Sequence, residues 1–328
     1  MAVCSGWLLR NDENYFLTLL RHMQGLVLKS TGSWYQVRTE DGSDYDCRIK
    51  GKFRIKGIQT TNPIAVGDRV QFELEPNSNK GIIDKLAERK NYIIRKSINL
   101  SKQAQIIAAN MDQAFLVVTL ASPRTSLGFI DRFLATAEAY SIPAVLIFNK
   151  LDLFNEDGLA VLDEYKAIYE NIDYPCYSVS ALEGTNIPVI QALLKDKVTL
   201  FSGHSGVGKS SLINALLPGR EIKTGEISES SDKGQHTTTF AEMHLLPFGG
   251  YLIDTPGIRE LGVFDIRPEE LGHYFREMRN LMNQCRFNNC RHVNEPGCAV
   301  IKAVEEGEIE LSRYESYLSI FHGNETRA

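Results

Sequence analysis

The sequence predicts a multidomain protein of mixed α+β and α/β architecture. An N-terminal OB-like β-barrel is followed by a domain with a mostly parallel sheet and by a C-terminal helical unit. Three observations carry this. Residues from about 25 to 90 read as short strands separated by turn signals, with no helical periodicity. Residues from about 113 to 254 alternate apolar strand runs with amphipathic helical patterns. After Pro268 the chain turns polar and helical and carries three of the six cysteines in one short window. At 328 residues the chain exceeds one average domain, and the motifs place the units at residues 1–95, 96–268 and 269–328.

Composition narrows the class. Hydrophobic residues make up 43% and charged residues 23%, and mean hydropathy is −0.20, the balance of a globular protein rather than a disordered or membrane-embedded one. No apolar run approaches the roughly 20 residues that span a bilayer, and Met1 to Gly6 lacks the order of a secretory signal. A cytoplasmic protein with no membrane partner is expected. The net charge of −5 argues against nucleic-acid binding at first sight, but it is uneven. Residues 1–95 hold about 15 basic and 11 acidic side chains, a surplus near +4 that leaves the remainder near −9.

In the first unit, Gly25 to Lys29, Ser33 to Thr39, Tyr45 to Ile55 and Arg69 to Leu74 are strand candidates. Trp7 to His22 reads as a helical appendage. From Arg48 to Lys56 the sequence alternates, so a strand there sets Arg48, Lys50, Lys52, Arg54 and Lys56 on one face and Ile49, Phe53 and Ile55 on the other. Five cations on one face repel one another unless an anion meets them, which makes them RNA-phosphate candidates; a solvated strand face is the alternative. Trp34 and Tyr35 are candidates for base stacking or for packing.

In the middle unit, Gln113 to Leu120 and Ala144 to Phe148 have the composition of buried strands, and Ile130 to Tyr140 that of a covering helix. Asn149-Lys150-Leu151-Asp152 follows the second strand and fits NKxD. A carboxylate at Asp152 can accept from both N1–H and the N2 amine of guanine, a donor pair that adenine lacks. Ser180-Ala181-Leu182, after the strand around Val179, resembles the loop that presents backbone N–H groups to the guanine carbonyl. Val198 to Phe201 then runs into Gly203-His204-Ser205-Gly206-Val207-Gly208-Lys209-Ser210, which matches GxxxxGK[ST], with Ser211 opening a helical pattern. Such glycines let successive N–H groups surround phosphate oxygens; Lys209 reaches the β- and γ-phosphates, and Ser210 places its hydroxyl on Mg²⁺. Asp254-Thr255-Pro256-Gly257, after the strand Gly250 to Ile253, fits DxxG, with Asp254 on the metal side and the Gly257 N–H on the γ-phosphate. A GTP site results. The motifs run NKxD, SAL, phosphate loop, DxxG, a circular permutation of their common order. Such a rearrangement preserves the site because only the positions of the strand ends matter.

In the last unit, Cys285, Cys290, His292 and Cys298 combine soft thiolates with an imidazole at a spacing that suits structural Zn²⁺, with reduced cysteines as the alternative.

With the permuted motifs, the OB-like segment and the CxxxxCxHxxxxxC element, the chain resembles the ribosome small subunit-dependent GTPase A family, also called RsgA or YjeQ, over nearly its whole length. The resemblance implies hydrolysis of GTP to GDP and phosphate, binding to the small (30S) ribosomal subunit and its rRNA, and a role late in that subunit's maturation. It also implies zinc held by Cys285, Cys290, His292 and Cys298. Gly234-Gln235-His236-Thr237-Thr238-Thr239 matches the family's switch motif. His236 is then the implied catalytic residue, since position 258 is Ile where many GTPases carry a water-orienting Gln. Thr238 is favoured among the three threonines for the Mg²⁺ and γ-phosphate contact. A monomer is expected. The competing function is a GTP-switched RNA- or protein-binding regulator not tied to the ribosome.

Overall fold

In the computed structural model, the structure describes residues 22–49, 63–76, 78–96, 104–217, 241–254 and 266–323. Backbone packing divides the chain into two compact units, Met1–Asn110 with Phe240–His244, and Met111–Thr239 with Leu245–Ala328.

In the first unit, β1 (Met23–Ser30), β2 (Tyr35–Arg38), β3 (Asp44–Ile49), β4 (Arg69–Leu74) and β5 (Lys80–Leu86) form a ring. Strand β1 pairs antiparallel with β2, and β2 with β3 (Val27↔Val37, Val37↔Tyr45). Strand β3 runs parallel to β5 (Cys47↔Gly81), β5 antiparallel to β4 (Phe72↔Ile83), and β4 closes on β1 (Gly25↔Val70). This closed order of five strands is that of the OB fold. Alternate residues point inward, so Val27, Val37, Cys47, Val70, Phe72 and Ile83 fill the barrel with Tyr35 and Ile64. Tyr35 is therefore packing rather than a stacking surface, whereas Trp34 is exposed with the Lys80 ammonium 5.3 Å from its ring centre. At the barrel's edge the buried Asp68 accepts from Arg89 at 2.6 and 2.7 Å and from the Ala65 N–H at 2.7 Å. A hairpin of β6 (Tyr92–Lys96) and β7 (Ala104–Ala109) follows.

In the second unit, β8 (Gln113–Val118), β9 (Ala144–Phe148), β10 (Cys176–Ser178) and β11 (Val198–Ser202) join a later strand to make a parallel sheet. The short β12 (Glu242–Leu245), all but its last residue counted with the first unit, precedes that last strand, β13 (Tyr251–Asp254). The order is β10-β9-β8-β11-β13. Every residue of β8 and β9 is buried, as expected for strands covered on both faces. The crossovers are α1 (Leu127–Ala139), α2 (Glu156–Glu170) and α3 (Ile187–Leu194), and α4 (Lys209–Leu216) follows β11. Strand order reverses between β8 and β11, and in open α/β sheets ligands bind at the carboxyl ends of strands at such a point. Helix α2 is absent from the sequence reading because it buries only Leu162 and Tyr169; its start is nonetheless signalled by Asn155, whose side chain accepts from the Gly158 N–H, and by Glu156 and Asp157 in the first turn.

Beyond Pro268 come 3₁₀ turns at Pro268–Tyr274 and Met282–Gln284 and three helices, α5 (Arg276–Arg279), α6 (Ala299–Glu305) and α7 (Leu311–Phe321). Their core includes Leu271, Phe275, Met278, Val300, Ile309 and Tyr317, together with Ala135 of α1.

Candidate functional site

Strand β11 delivers the phosphate loop and α4 receives it. Gly203 has φ +152, and a Cβ there would lie 2.6 Å from the Val117 carbonyl oxygen of β8. Gly208 has φ +85, and a Cβ there would lie 2.3 Å from Asn149 Nδ2. Glycine is therefore required both to let the loop cross the sheet and to let the Asn149 side chain approach it. Val207, fully buried, anchors the loop in the core, while Ser205, Gly206 and Ser211 remain exposed. His204 and Ser210 are half-buried beside them. Lys209, the first residue of α4, donates to Asp254 Oδ1 at 2.5 Å, so the phosphate-loop lysine and the DxxG carboxylate meet across β11 and β13.

Asn149 joins the other two loops. It is buried, donates from Nδ2 to the Val207 carbonyl at 2.9 Å and accepts from the Ala181 N–H at 3.1 Å. Lys150 adopts the left-handed conformation (φ 68) and donates from Nζ to the Ser122 carbonyl. The Ser180 hydroxyl donates to Asp152 Oδ1 at 2.5 Å and accepts from the Glu183 N–H at 3.1 Å. A fixed carboxylate, aimed by a hydroxyl and set at a strand end, is the arrangement a purine with adjacent donors requires.

The structure thus gathers Asn149, Lys150, Asp152, Ser180, Ala181, the run Gly203 to Ser211 and Asp254. His236, Thr238 and Gly257 lie outside the described residues, as do Lys50, Lys52, Arg54, Lys56 and most of the Trp7 to His22 segment. Arg48 is exposed near the end of β3 and pairs with Glu75 at 2.6 Å. The anion facing that cation is thus supplied, at this position, by the chain itself.

In the irregular segment between the 3₁₀ turn Met282–Gln284 and α6, Cys285, Cys290, His292 and Cys298 bring one donor atom each to within 4.8 Å of one another. His292 Nδ1 lies 3.3 Å from Cys298 Sγ and 3.6 Å from Cys285 Sγ, and the two sulfurs are 4.0 Å apart. A tetrahedron with metal–sulfur bonds of about 2.3 Å has edges of about 3.8 Å, so these four donors fit a zinc ion. Burial lowers His292, which favours the neutral imidazole that a ligand must be, and pushes the Cys290 thiol up to about 12, so that a metal bound there must displace its proton. Cys298 also caps α6, its Sγ accepting from the Ile301 N–H at 3.5 Å. Tyr314 and Tyr317 of α7 hold the backbone of the same turn, donating to the carbonyls of His292 at 2.8 Å and Arg291 at 2.5 Å.

Two family descriptions match the chain: RsgA GTPase over residues 86–264 and RsgA N-terminal domain over residues 24–83. The chain belongs to the RsgA GTPase family. Among its relatives is the small ribosomal subunit biogenesis GTPase RsgA of Bacteroides fragilis, 57% identical over 303 residues that cover 92% of this chain and 97% of that one. Its counterpart of the same name in Porphyromonas gingivalis is 51% identical over 304 residues, covering 91% and 96%. Of solved structures, YjeQ from Thermotoga maritima superposes with a TM-score of 0.75 at 38% identity, covering 94% of this chain and all of that one. YloQ, a circularly permuted GTPase, superposes at 0.72 with 32% identity, covering 94% and 97%. The permuted motif order is thus shared with a solved relative, and this chain is a GTP hydrolase of that family.

Sequence reasoning missed the support behind the phosphate loop. Thr125, in the turn between β8 and α1, is buried with its hydroxyl 2.7 Å from His204 Nε2, and Phe129 of α1 meets the same imidazole edge-on. No local pattern announces a contact across 79 residues. Nor did it show that α1 carries the C-terminal helices. Buried Asp131 accepts from Arg313 at 2.6 Å and from Tyr169 at 3.0 Å, and Glu138 accepts from Arg276 at 2.7 Å and Arg279 at 3.0 Å. Among the described residues no helix is long and apolar enough to cross a membrane.

Proposed function

We propose that this chain hydrolyses GTP to GDP and phosphate as a late-stage assembly factor of the small ribosomal subunit, with turnover stimulated by that subunit. The observation that carries the nucleotide site is the Asn149 side chain, bonded at once to the phosphate loop and to the Ser180-Ala181 loop. The subunit is supported by the names of relatives more than half identical over nine-tenths of the chain.

Asp152, oriented by Ser180, accepts from the guanine N1–H and N2 amine, and the Ser180-Ala181 loop presents its backbone to the base. The N–H groups of Gly203 to Ser211 cradle the phosphates, and Lys209 exchanges its Asp254 partner for the β- and γ-phosphate oxygens. A nucleotide-bound Mg²⁺ would be held by Ser210 and Thr238 and would neutralise phosphate charge. Gly257 contributes an N–H toward the γ-phosphate, and His236 orients the attacking water that Ile258 cannot hold. Cys285, Cys290, His292 and Cys298 would hold one structural Zn²⁺, which closes the turn of the C-terminal unit.

Three functional units, at 1–95, 96–268 and 269–328, share the work, with the barrel meeting rRNA through Arg48, Lys50, Lys52, Arg54 and Lys56. The protein works in the cytoplasm as a monomer.

The nucleotide assignment is tested by steady-state hydrolysis of GTP and ATP by the full chain and by Lys209→Ala. GTP turnover by the wild type, no ATP turnover, and a loss of at least about a hundredfold in the variant support it. Equal turnover of the two nucleotides sets it aside.

A further inference from the structure

The loop that would hold phosphate is itself held from behind. The Thr119 N–H donates to Thr125 Oγ1 at 3.0 Å, Thr125 Oγ1 lies 2.7 Å from His204 Nε2, and His204 Nδ1 lies 3.0 Å from the Ser205 carbonyl oxygen. One proton assignment satisfies every member. Thr125 accepts from Thr119 and donates its hydroxyl to Nε2, and Nδ1–H donates to the Ser205 carbonyl, with the imidazole neutral. Burial favours that neutral form and outweighs the opposing pull of the Ser205 carbonyl, with a lesser contribution from the nearby Lys150.

The bond to Ser205 reaches further than one carbonyl. A trans peptide is planar, and its C=O and N–H point in opposite directions. Fixing the Ser205 carbonyl on the imidazole therefore fixes the Gly206 N–H on the far side of the same plane. Gly206 is the residue least able to hold that plane alone, because it lacks a Cβ and sits at φ +86. Its N–H is one of the donors of the GxxxxGK[ST] loop. The Phe129 ring, 5.6 Å away and perpendicular to the imidazole, limits the alternatives open to the His204 side chain.

We infer that His204, locked by Thr125, is a positioning residue for GTP hydrolysis: it sets the Ser205–Gly206 peptide so that the Gly206 N–H faces the phosphates. This rests on the nucleotide reading above. It adds to that reading the side chain of His204, at a position the loop motif leaves open, and Thr125, which belongs to none of the motifs and lies 79 positions away in the chain.

Kinetics with the full-length protein test it, using His204→Leu, His204→Gln, Thr125→Val and Thr125→Ser, each checked by thermal unfolding. A glutamine amide carries an acceptor for the Thr125 hydroxyl (Oε1) and a donor for the Ser205 carbonyl (Nε2) at about the separation of the two ring nitrogens, and serine keeps the hydroxyl. The expected result is a fall of about ten- to a hundredfold in kcat/KM for GTP in His204→Leu and Thr125→Val, with GTP still preferred over ATP. His204→Gln and Thr125→Ser should stay within about threefold of wild type, and the double variant His204→Leu/Thr125→Val should lose no more than the worse single one. Wild-type kinetics in His204→Leu, or an equal loss in both His204 variants, overturns the assignment. If His204→Leu does not fold, the Thr125→Val and Thr125→Ser pair decides by the same criterion. A wild-type chain that neither binds GDP nor hydrolyses GTP overturns the functional reading and this inference together.

Discussion

Asn149 shows how much of this site depends on single side chains. Both ends of its amide are used inside the protein, one on Val207 and one on Ala181, so its first task is to hold two loops in register. Asn149→Ala would leave a buried carbonyl and a backbone N–H unsatisfied, which should cost about 2–3 kcal/mol in urea unfolding and weaken GDP binding. An unchanged unfolding midpoint would contradict the structural role. Residues of this kind were legible in the sequence. Guanine and phosphate each demand particular donor and acceptor types at fixed spacings after a strand, so NKxD, SAL and GxxxxGK[ST] declare themselves. The same is true of Cys285, Cys290, His292 and Cys298, whose donor softness and short spacing leave few chemical uses. His204 and Thr125 were not legible as a pair, because their contact depends on the β8 and β11 strand ends being neighbours.

At the scale of elements, α1 does more than cover the sheet. Its first turn carries Phe129, which meets His204, and farther along it accepts Arg313, Arg276 and Arg279 of the C-terminal helices. Arg313→Met would leave Asp131 buried without its cation and should destabilise the protein by about 3–5 kcal/mol; pairing it with Asp131→Leu should recover part of the loss. Burial raises the Glu138 carboxyl, but Arg276 and Arg279 outweigh it and hold it below its ordinary value of 4.5. The stabilisation from that carboxylate is therefore complete above about pH 4.5 and is lost as pH falls through the depressed folded value. The melting temperatures of wild type and Glu138→Gln should differ at pH 7 and converge in acid; a gap that widens in acid would reverse the sign. Metal removal at the proposed zinc site should act on the same elements. Chelation should increase hydrogen exchange in α6 and in the Cys285 to Cys298 turn while β8 and β9 stay protected. The helical character of this region was legible from its composition. Its dependence on α1 was not, since ion pairs spanning 182 and 138 residues leave no local periodicity.

At the scale of the molecule, both fold classes follow from pattern. Alternating strands with turn signals gave a barrel, and buried strands separated by amphipathic helices gave a parallel sheet. The structure adds the parallel β3–β5 pairing that makes the barrel an OB fold, and the reversal of strand order that locates the nucleotide loops. The acidic total of −5 conceals a basic first domain, so the overall charge does not oppose contact with rRNA. Phosphate neutralisation by that domain should weaken steeply as salt rises. The central claim joins this domain to the nucleotide site through one partner. The most direct test is the GTP hydrolysis rate of the full-length protein with and without purified small ribosomal subunits, at low and at physiological salt. A rate that rises at least tenfold with subunits, and rises less at the higher salt, is the expected result. A rate that small subunits leave unchanged at both salt concentrations would contradict it.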